Sequence, residues 1–348
     1  MTTGKGKIDR RSLLKTGLAA AAGTALGPIN AGGVLAAMPK SKAGIPVRSF
    51  GNTGVDLPIL GMGGSAMVNV WAPSYGVKLD SEDKRAEMVR YAFDQGIRYF
   101  DTARVYSESE SILGRGLEGV RDQAFVASKI AVMKPEHVRP SVEKSLEELR
   151  TDYVDLMQIH SPAIEAIGAR KAMKLYEELL KLRDEKMLRF IGLTTHVAFE
   201  DVFKMLDTGG FDQVMLAYGY FPKGMDTLLS NRNLEFRNRC LARAHELGMA
   251  IVSMKVMGAF IMGHNAKNLV RGYHPDRLAS LPGAAIRWVL QDDRIAMLNI
   301  GVSMPSDIDK NKRILASALD FTDDDRELLA DYAVKAMESD IVKSMKTV

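Results

Sequence analysis

At 348 residues, with 46% hydrophobic and 26% charged content, the chain reads as ordinary globular protein, long enough for one large α/β domain or two small ones. Its formal charge of +4 sits at one end: within residues 1–36, Lys5, Lys7, Arg10, Arg11 and Lys15 stand against a single acid, Asp9, and the remainder is formally neutral. A neutral body has no counterion-release drive toward a polyanion, which excludes nucleic acid as a partner, and the single cysteine, Cys240, excludes an intrachain disulfide.

In chain order, the basic stretch ending Asp9-Arg10-Arg11-Ser12-Leu13-Leu14-Lys15 leads into a weakly apolar Gly17 to Leu26, then Val34-Leu35-Ala36 before Ala37. Basic, apolar and small-residue regions in that order resemble a bacterial twin-arginine (Tat) signal peptide over residues 1–36, with cleavage expected after Ala36. The resemblance implies the Tat export machinery as a partner and a periplasmic or extracellular location. The apolar run is roughly half of the ~20 residues a membrane span needs, so no permanent anchor is expected.

Residues 37–348 contain no low-complexity linker and read as one domain. Val47 to Val55, with Gly51-Asn52-Thr53-Gly54 as turn chemistry, predicts an N-terminal hairpin that plugs the bottom of a barrel. Eight short apolar runs are present: Leu57 to Met62, Ile97 to Phe100, Phe125 to Lys129, Tyr153 to Ile159, Leu188 to Leu193, Gln213 to Tyr218, Ala250 to Met254 and Ala296 to Ile300. Helical spacing separates them, over Arg85 to Phe93, Val138 to Leu149, Ala172 to Leu182, Leu234 to Leu247 and Leu278 to Leu290. Continuous apolar runs between helices mark parallel strands covered on both faces. Eight such units predict an α/β fold of the (β/α)8 TIM-barrel type. The competing open sheet announces itself by a dinucleotide fingerprint, which Gly61-Met62-Gly63-Gly64 lacks in both spacing and context. Asp323 to Lys346 reads as a C-terminal extra helix.

The residues at the carboxyl ends of these runs are Asp101, Lys129, His160, Thr194-Thr195-His196, Lys255 and Ser303. In a barrel these ends converge on the face where active sites form. Taken singly, each has a structural reading: Asp101 as a helix cap, Tyr106 as a packing aromatic, Lys129 as a surface lysine, His160 as a satisfied strand-end histidine. Together they resemble a known family. Ile97-Arg98-Tyr99-Phe100-Asp101-Thr102-Ala103-Arg104-Val105-Tyr106, then Ser109-Glu110-Ser111-Ile112-Leu113-Gly114, is similar to the aldo-keto reductase signature. Ala127-Ser128-Lys129 and Asp155-Leu156-Met157-Gln158-Ile159-His160 resemble that family's Lys and His strands in the same order, and the resemblance runs from about Val47 to about Leu319.

The resemblance implies an oxidoreductase that reduces an aldehyde or ketone to an alcohol, or the reverse, by hydride transfer, acting on a small carbonyl or alcohol substrate. Charge grows on the carbonyl oxygen, so a proton donor and polarising groups must stand beside it. Tyr106 is assigned the proton, Lys129 the charge that favours the phenolate, Asp101 the pairing of that lysine, and His160 the orientation of the carbonyl. Because the family also serves in channel-associated proteins, a cofactor-bound sensor or regulatory subunit is the alternative.

The implied cofactor is a nicotinamide dinucleotide, NADP(H) favoured and NAD(H) the other form. The resemblance places Gly63, Gly64, Thr194, Thr195, Lys255, Gly301, Ser303 and Asn311 against it. Gln213 is assigned there too, with Met215 an equally good alignment. Asp307 stands where many relatives carry an arginine for the 2′-phosphate, unless Lys310, Lys312 or Arg313 compensates. Met254-Lys255-Val256-Met257-Gly258 resembles a subgroup some of whose members hold iron–sulfur clusters at the carboxyl end, for which this chain has no cysteines. Lys255 is read as meeting cofactor phosphate, substrate or a loop carboxylate. His196, His245 and His264 lack the spacing of a metal site, and no metal is expected. Trp71, Tyr218, Tyr220 and Phe221 are expected over the barrel mouth. The oligomeric state expected is a monomer or small homo-oligomer.

Overall fold

The structure, a computed structural model, describes residues 41–348. The signal region at residues 1–36 lies outside the described residues.

The described chain opens with an antiparallel hairpin of β1 (Val47–Ser49) and β2 (Asp56–Pro58). Its turn brings Gly51, at φ +57°, so close to the barrel that an added Cβ would lie 2.4 Å from the Ala250 amide nitrogen. The Asn52 N–H donates to Gly248 O at 2.8 Å, and buried Phe50 packs 5.7 Å from Tyr99 and 5.1 Å from Phe125 between ring centroids. Tyr99, Phe125 and Ala250 each open a barrel strand, so the hairpin plugs the amino-terminal end.

The barrel contains β3 (Leu60–Gly63), β4 (Tyr99–Asp101), β5 (Phe125–Ile130), β6 (Val154–Ile159), β7 (Leu188–Thr195) and β8 (Gln213–Ala217). The two-residue β9 (Thr227–Leu228) lies outside it, and β10 (Ala250–Met254) and β11 (Ile295–Gly301) complete the ring, β11 pairing with β3. Every barrel pairing is parallel. β5 and β6 are buried at all their positions, as expected of strands with hydrophobic layers on both faces.

The helices follow the predicted spacing at Glu82–Asp94, Val138–Leu149, Ser161–Asp184, Asn231–Glu246 and Pro275–Leu290. Two stretches differ from the reading. The run Leu57 to Met62 is shared between β2 and β3, because the chain turns at Ile59 from hairpin to barrel. Asp323 to Lys346 is not one helix: Asp323–Met337 ends, Ser339 caps a second helix at Asp340–Ser344 by accepting the Val342 N–H, and β12 (Lys346–Thr347) pairs with β9.

Beside the barrel core, a second apolar cluster joins Phe221, Leu228, Ile261, Leu281, Leu329 and Tyr332. The Tyr332 hydroxyl donates to Ile261 O at 2.7 Å. This cluster fixes the segments after β8 and β10 over the carboxyl-terminal mouth of the barrel.

Candidate active site

Four elements converge at that mouth. Asp101 ends β4, Lys129 stands one residue before the end of β5, His160 follows β6, and Tyr106 lies in the turn after β4, where its N–H donates to Ala103 O at 2.9 Å. Gly64 lets the chain after β3 lie against this turn: a Cβ there would be 2.5 Å from Ser109 Oγ and 2.7 Å from Asp101 O.

Lys129 is 1% exposed, and its Nζ donates to Asp101 Oδ1 at 2.5 Å and to Thr102 O at 2.7 Å. Gln158 Nε2 donates to the other carboxylate oxygen, Asp101 Oδ2, at 3.0 Å. Burial lowers the Lys129 pKa from the usual lysine value, with Asp101 and then Glu110 opposing that fall. The Lys129 ammonium lies 4.8 Å from the Tyr106 ring centroid, and Tyr106 Oη is 3.4 Å from His160 Nε2. Trp71 packs edge-on against Tyr106 at 5.0 Å. Burial, with the Lys129 charge second, holds the His160 pKa well below the usual histidine range, so the imidazole is neutral near pH 7. Its Nδ1 is buried without a hydrogen-bond partner.

Asp101 and Tyr106 face a cavity of about 260 Å³. Gly63, Lys255, Gly301 and Ser303, four of the residues assigned to cofactor, also line it. Thr194 and Thr195 do not. Thr194 Oγ1 accepts the Ser161 N–H at 3.0 Å, and Thr195 Oγ1 accepts the N–H groups of Val197 and Ala198 at 3.2 and 2.8 Å, so both hydroxyls hold the starts of helices. Gln213 opens β8 opposite Gly192 and Ala250, below the mouth. Met215, two residues on and level with Thr194, lines the cavity instead. Asn311 is buried on the helix Pro305–Ala316, outside the cavity lining. Of the four aromatics expected over the mouth, Trp71 lines the cavity, whereas Tyr218 and Tyr220 pack on Trp288 and Phe221 belongs to the second core.

Asp307 occupies the loop after β11 from within. Its Oδ2 accepts the N–H groups of Ser303 and Met304 at 2.9 and 3.3 Å, and its Oδ1 pairs with His264 Nε2 at 2.8 Å. Among the described residues no group of three or more His, Cys, Asp or Glu side chains is placed to hold a metal ion, and no helix is long and apolar enough to cross a membrane.

The model of the Aldo/keto reductase family matches residues 60–331, a span that contains all four converging side chains. The chain belongs to the aldo/keto reductase family. A second model, of the TAT (twin-arginine translocation) pathway signal sequence, matches residues 7–27, so a Tat signal precedes the reductase domain. The chain is 33% identical over 198 residues to L-galactose dehydrogenase of Arabidopsis thaliana, covering 53% of this chain and 60% of that protein. It is also 33% identical over 195 residues to an aldo-keto reductase of Bacillus subtilis (strain 168), covering 51% and 55%. The match therefore spans little more than half the length of these curated relatives. Among solved structures, the holo form of an aldo-keto reductase from Bacillus halodurans superposes with a TM-score of 0.63 at 19% identity, covering 83% of this chain and 96% of that one, a likeness of fold.

Sequence reasoning passed over several residues of this family member's site. Gln158 and Asn299 are polar side chains inside largely apolar strand runs, a signal that such a position touches something other than core. Asn299 lines the cavity with its Oδ1 buried and unpartnered. His196, set aside as a scattered histidine, lines it too. Lys223 and Asp226 come from the segment after β8, and no periodicity places them there.

Proposed function

We propose that this protein is a nicotinamide-dinucleotide-dependent oxidoreductase that interconverts an aldehyde or ketone with its alcohol, with Tyr106 as general acid and base. The observation that carries the reading is the placement of Tyr106 at the cavity wall, 3.4 Å from a neutral His160 and 4.8 Å above an ammonium paired with buried Asp101.

A phenol is a weak acid, with a pKa near 10, and a nearby cation favours the phenolate. Lys129 supplies that cation, and Asp101, held by Gln158, keeps it in place in the low-dielectric interior. In the reducing direction the Tyr106 hydroxyl delivers its proton to the carbonyl oxygen, and in the oxidising direction the phenolate takes the alcohol proton back. Neutral His160 presents Nε2 to the same oxygen and fixes its approach. Met215, Met254, Val256 and Trp71 form apolar walls that keep water from the reacting centre.

The residues present suit the dinucleotide that the family uses. The orphaned Asn299 Oδ1 at the cavity wall is an acceptor for a carboxamide N–H, and Gly63 and Gly301 leave the floor open beside it. Gly301 and Ser303 line the cavity where phosphates would be held. When bound, the nicotinamide supplies or accepts the hydride. Asp307 supports the unphosphorylated form: its carboxylate already holds the Ser303 and Met304 amides, and it would repel a 2′-phosphate. We therefore read NAD(H) as preferred over the NADP(H) that the sequence alone favours.

The Tat signal supports export of a folded domain that starts near residue 37 and carries a dinucleotide loaded beforehand, to the periplasm or beyond. The test follows nicotinamide absorbance at 340 nm with NADH and NADPH against a panel of aldehydes and ketones, beside fluorescence titration of each dinucleotide. Turnover with tighter binding of NADH is expected. Tight retention of either dinucleotide with no turnover on any carbonyl would favour the sensor reading instead.

A further inference from the structure

The cavity holds more positive charge than proton transfer uses. Lys129 is matched by Asp101, yet Lys223 and Lys255 line the same cavity. Lys223 is 2% exposed; its ammonium donates to Met225 O and sits 4.9 Å from the Phe260 ring centroid. The Lys255 ammonium has no hydrogen-bond or ion-pair partner among the described residues. Apart from Asp101, the one carboxylate in the lining is Asp226, and it is ion-paired with neither lysine. His196, the neighbouring imidazole, is held neutral by burial, with the Lys255 charge next in effect.

Two ammonium groups facing the same partly desolvated cavity oppose one another, and each favours its neutral form. Burial lowers Lys255 to about 7, with the Lys223 charge adding to the fall and Asp226 opposing it, while burial lowers Lys223 to about 8, again opposed by Asp226. An anion entering the cavity removes this conflict. The lysines are also held in place for one. Lys255 follows directly on β10 in a left-handed conformation, φ +64°. The segment carrying Lys223 and Asp226 is anchored by β9, which β12 clamps through Val348 N–H to Leu228 O at 3.0 Å and Ser230 N–H to Val348 O at 2.6 Å. The remaining walls, Met225, Met254, Met257 and Phe260, are apolar and accept a hydrocarbon body.

We propose that Lys223 and Lys255 form an anion subsite in the cavity, and that it selects carbonyl or alcohol substrates bearing a carboxylate or phosphate. The assignment to a substrate rests on the oxidoreductase reading; the anion subsite itself does not. The same chemistry could be offered by the diphosphate of the dinucleotide, and the experiment separates the two sources.

Wild type, Lys223→Met and Lys255→Met are titrated by calorimetry with 4-carboxybenzaldehyde, its neutral isostere 4-formylbenzamide, and inorganic pyrophosphate. For the wild type the carboxylated aldehyde is expected to bind at least tenfold tighter than the neutral one, and each variant to lose at least tenfold on the carboxylated aldehyde alone. A tenfold loss confined to pyrophosphate supports the subsite and overturns its assignment to substrate. Equal affinity of the two aldehydes in wild type, with pyrophosphate binding unchanged in both variants, overturns the proposal. Binding of the neutral aldehyde by each variant with wild-type affinity separates loss of the subsite from misfolding. Preferential binding of the carboxylated aldehyde without turnover on any carbonyl would sink the oxidoreductase reading and leave the subsite standing.

Discussion

Replacing Asp101 by asparagine removes one charge from the centre of the site and little else. Asp101 accepts from two donors, Lys129 Nζ at 2.5 Å and Gln158 Nε2 at 3.0 Å. Asparagine offers one acceptor and one donor group, so its oxygen can still face Lys129 while its amide meets Gln158. Gln158 can adapt by turning its amide over, because its Oε1 is buried and has no partner. What remains is an ammonium 1% exposed whose hydrogen bonds go to the Thr102 carbonyl and an amide oxygen, with no ion-pair partner at hydrogen-bond distance. Breaking a buried pair from one side costs about 3–5 kcal/mol. At ~2.1 cal/mol/K per residue, a chain of this size has an unfolding entropy of roughly 0.6–0.7 kcal/mol/K, so Tm is expected to fall by about 5–8 °C. The double variant Asp101→Asn/Lys129→Met is expected to recover most of that loss while remaining inactive, since an apolar side chain of similar volume replaces the stranded charge. Urea denaturation and calorimetric melts of the three proteins decide the matter. A single variant within about 1 kcal/mol of wild type, or a double variant less stable than the single, would refute the electrostatic account of the pair.

Two further expectations concern the ends of the barrel. Phe50→Ala empties the space between Tyr99 and Phe125 at the amino-terminal end and should cost about 3–5 kcal/mol by denaturant titration, with the affinity for dinucleotide in the folded protein unchanged. At the mouth, the hydrogen bond that Asp307 accepts from His264 raises the His264 pKa, burial opposing it. A histidine raised on folding adds stability that is fully present below its unfolded value of about 6.5 and is lost as pH rises through the folded value. Wild type should exceed His264→Gln by under about 1 kcal/mol at pH 5–6 and match it by about pH 9, since the pair is partly exposed; an advantage that grows with pH would reverse the assignment.

The barrel was legible because burial on both faces leaves its strands as unbroken apolar runs, and helices between them repeat at 3.6 residues. Phe125 to Lys129 and Ala250 to Met254 match β5 and β10 to within a residue for that reason. Leu57 to Met62 was misread as one strand because periodicity does not register a change of direction at Ile59 between two short extended pieces. Asp101, Lys129 and His160 stood out as polar groups at strand ends. Lys223 and Asp226 could not, since long-range contacts, the β9–β12 clamp and the second apolar cluster, bring their segment over the mouth. Thr194 and Thr195 looked like ligand hydroxyls, and chain position alone does not reveal that backbone amides of the next helices already use them. Gln213 and Met215 lie two residues apart on the same face of β8, so alternation does not separate them; they differ in height along the barrel, which pairing with β7 defines and sequence pattern does not.

The central claim is that Tyr106 moves the proton. Its direct test is kcat/KM for carbonyl reduction by Tyr106→Phe, measured with dinucleotide affinity determined in parallel by fluorescence. The expected result is a loss of about 10²–10⁴-fold in turnover with dinucleotide affinity within a few-fold of wild type. Turnover by the phenylalanine variant equal to wild type, on a carbonyl that wild type reduces, would contradict the account.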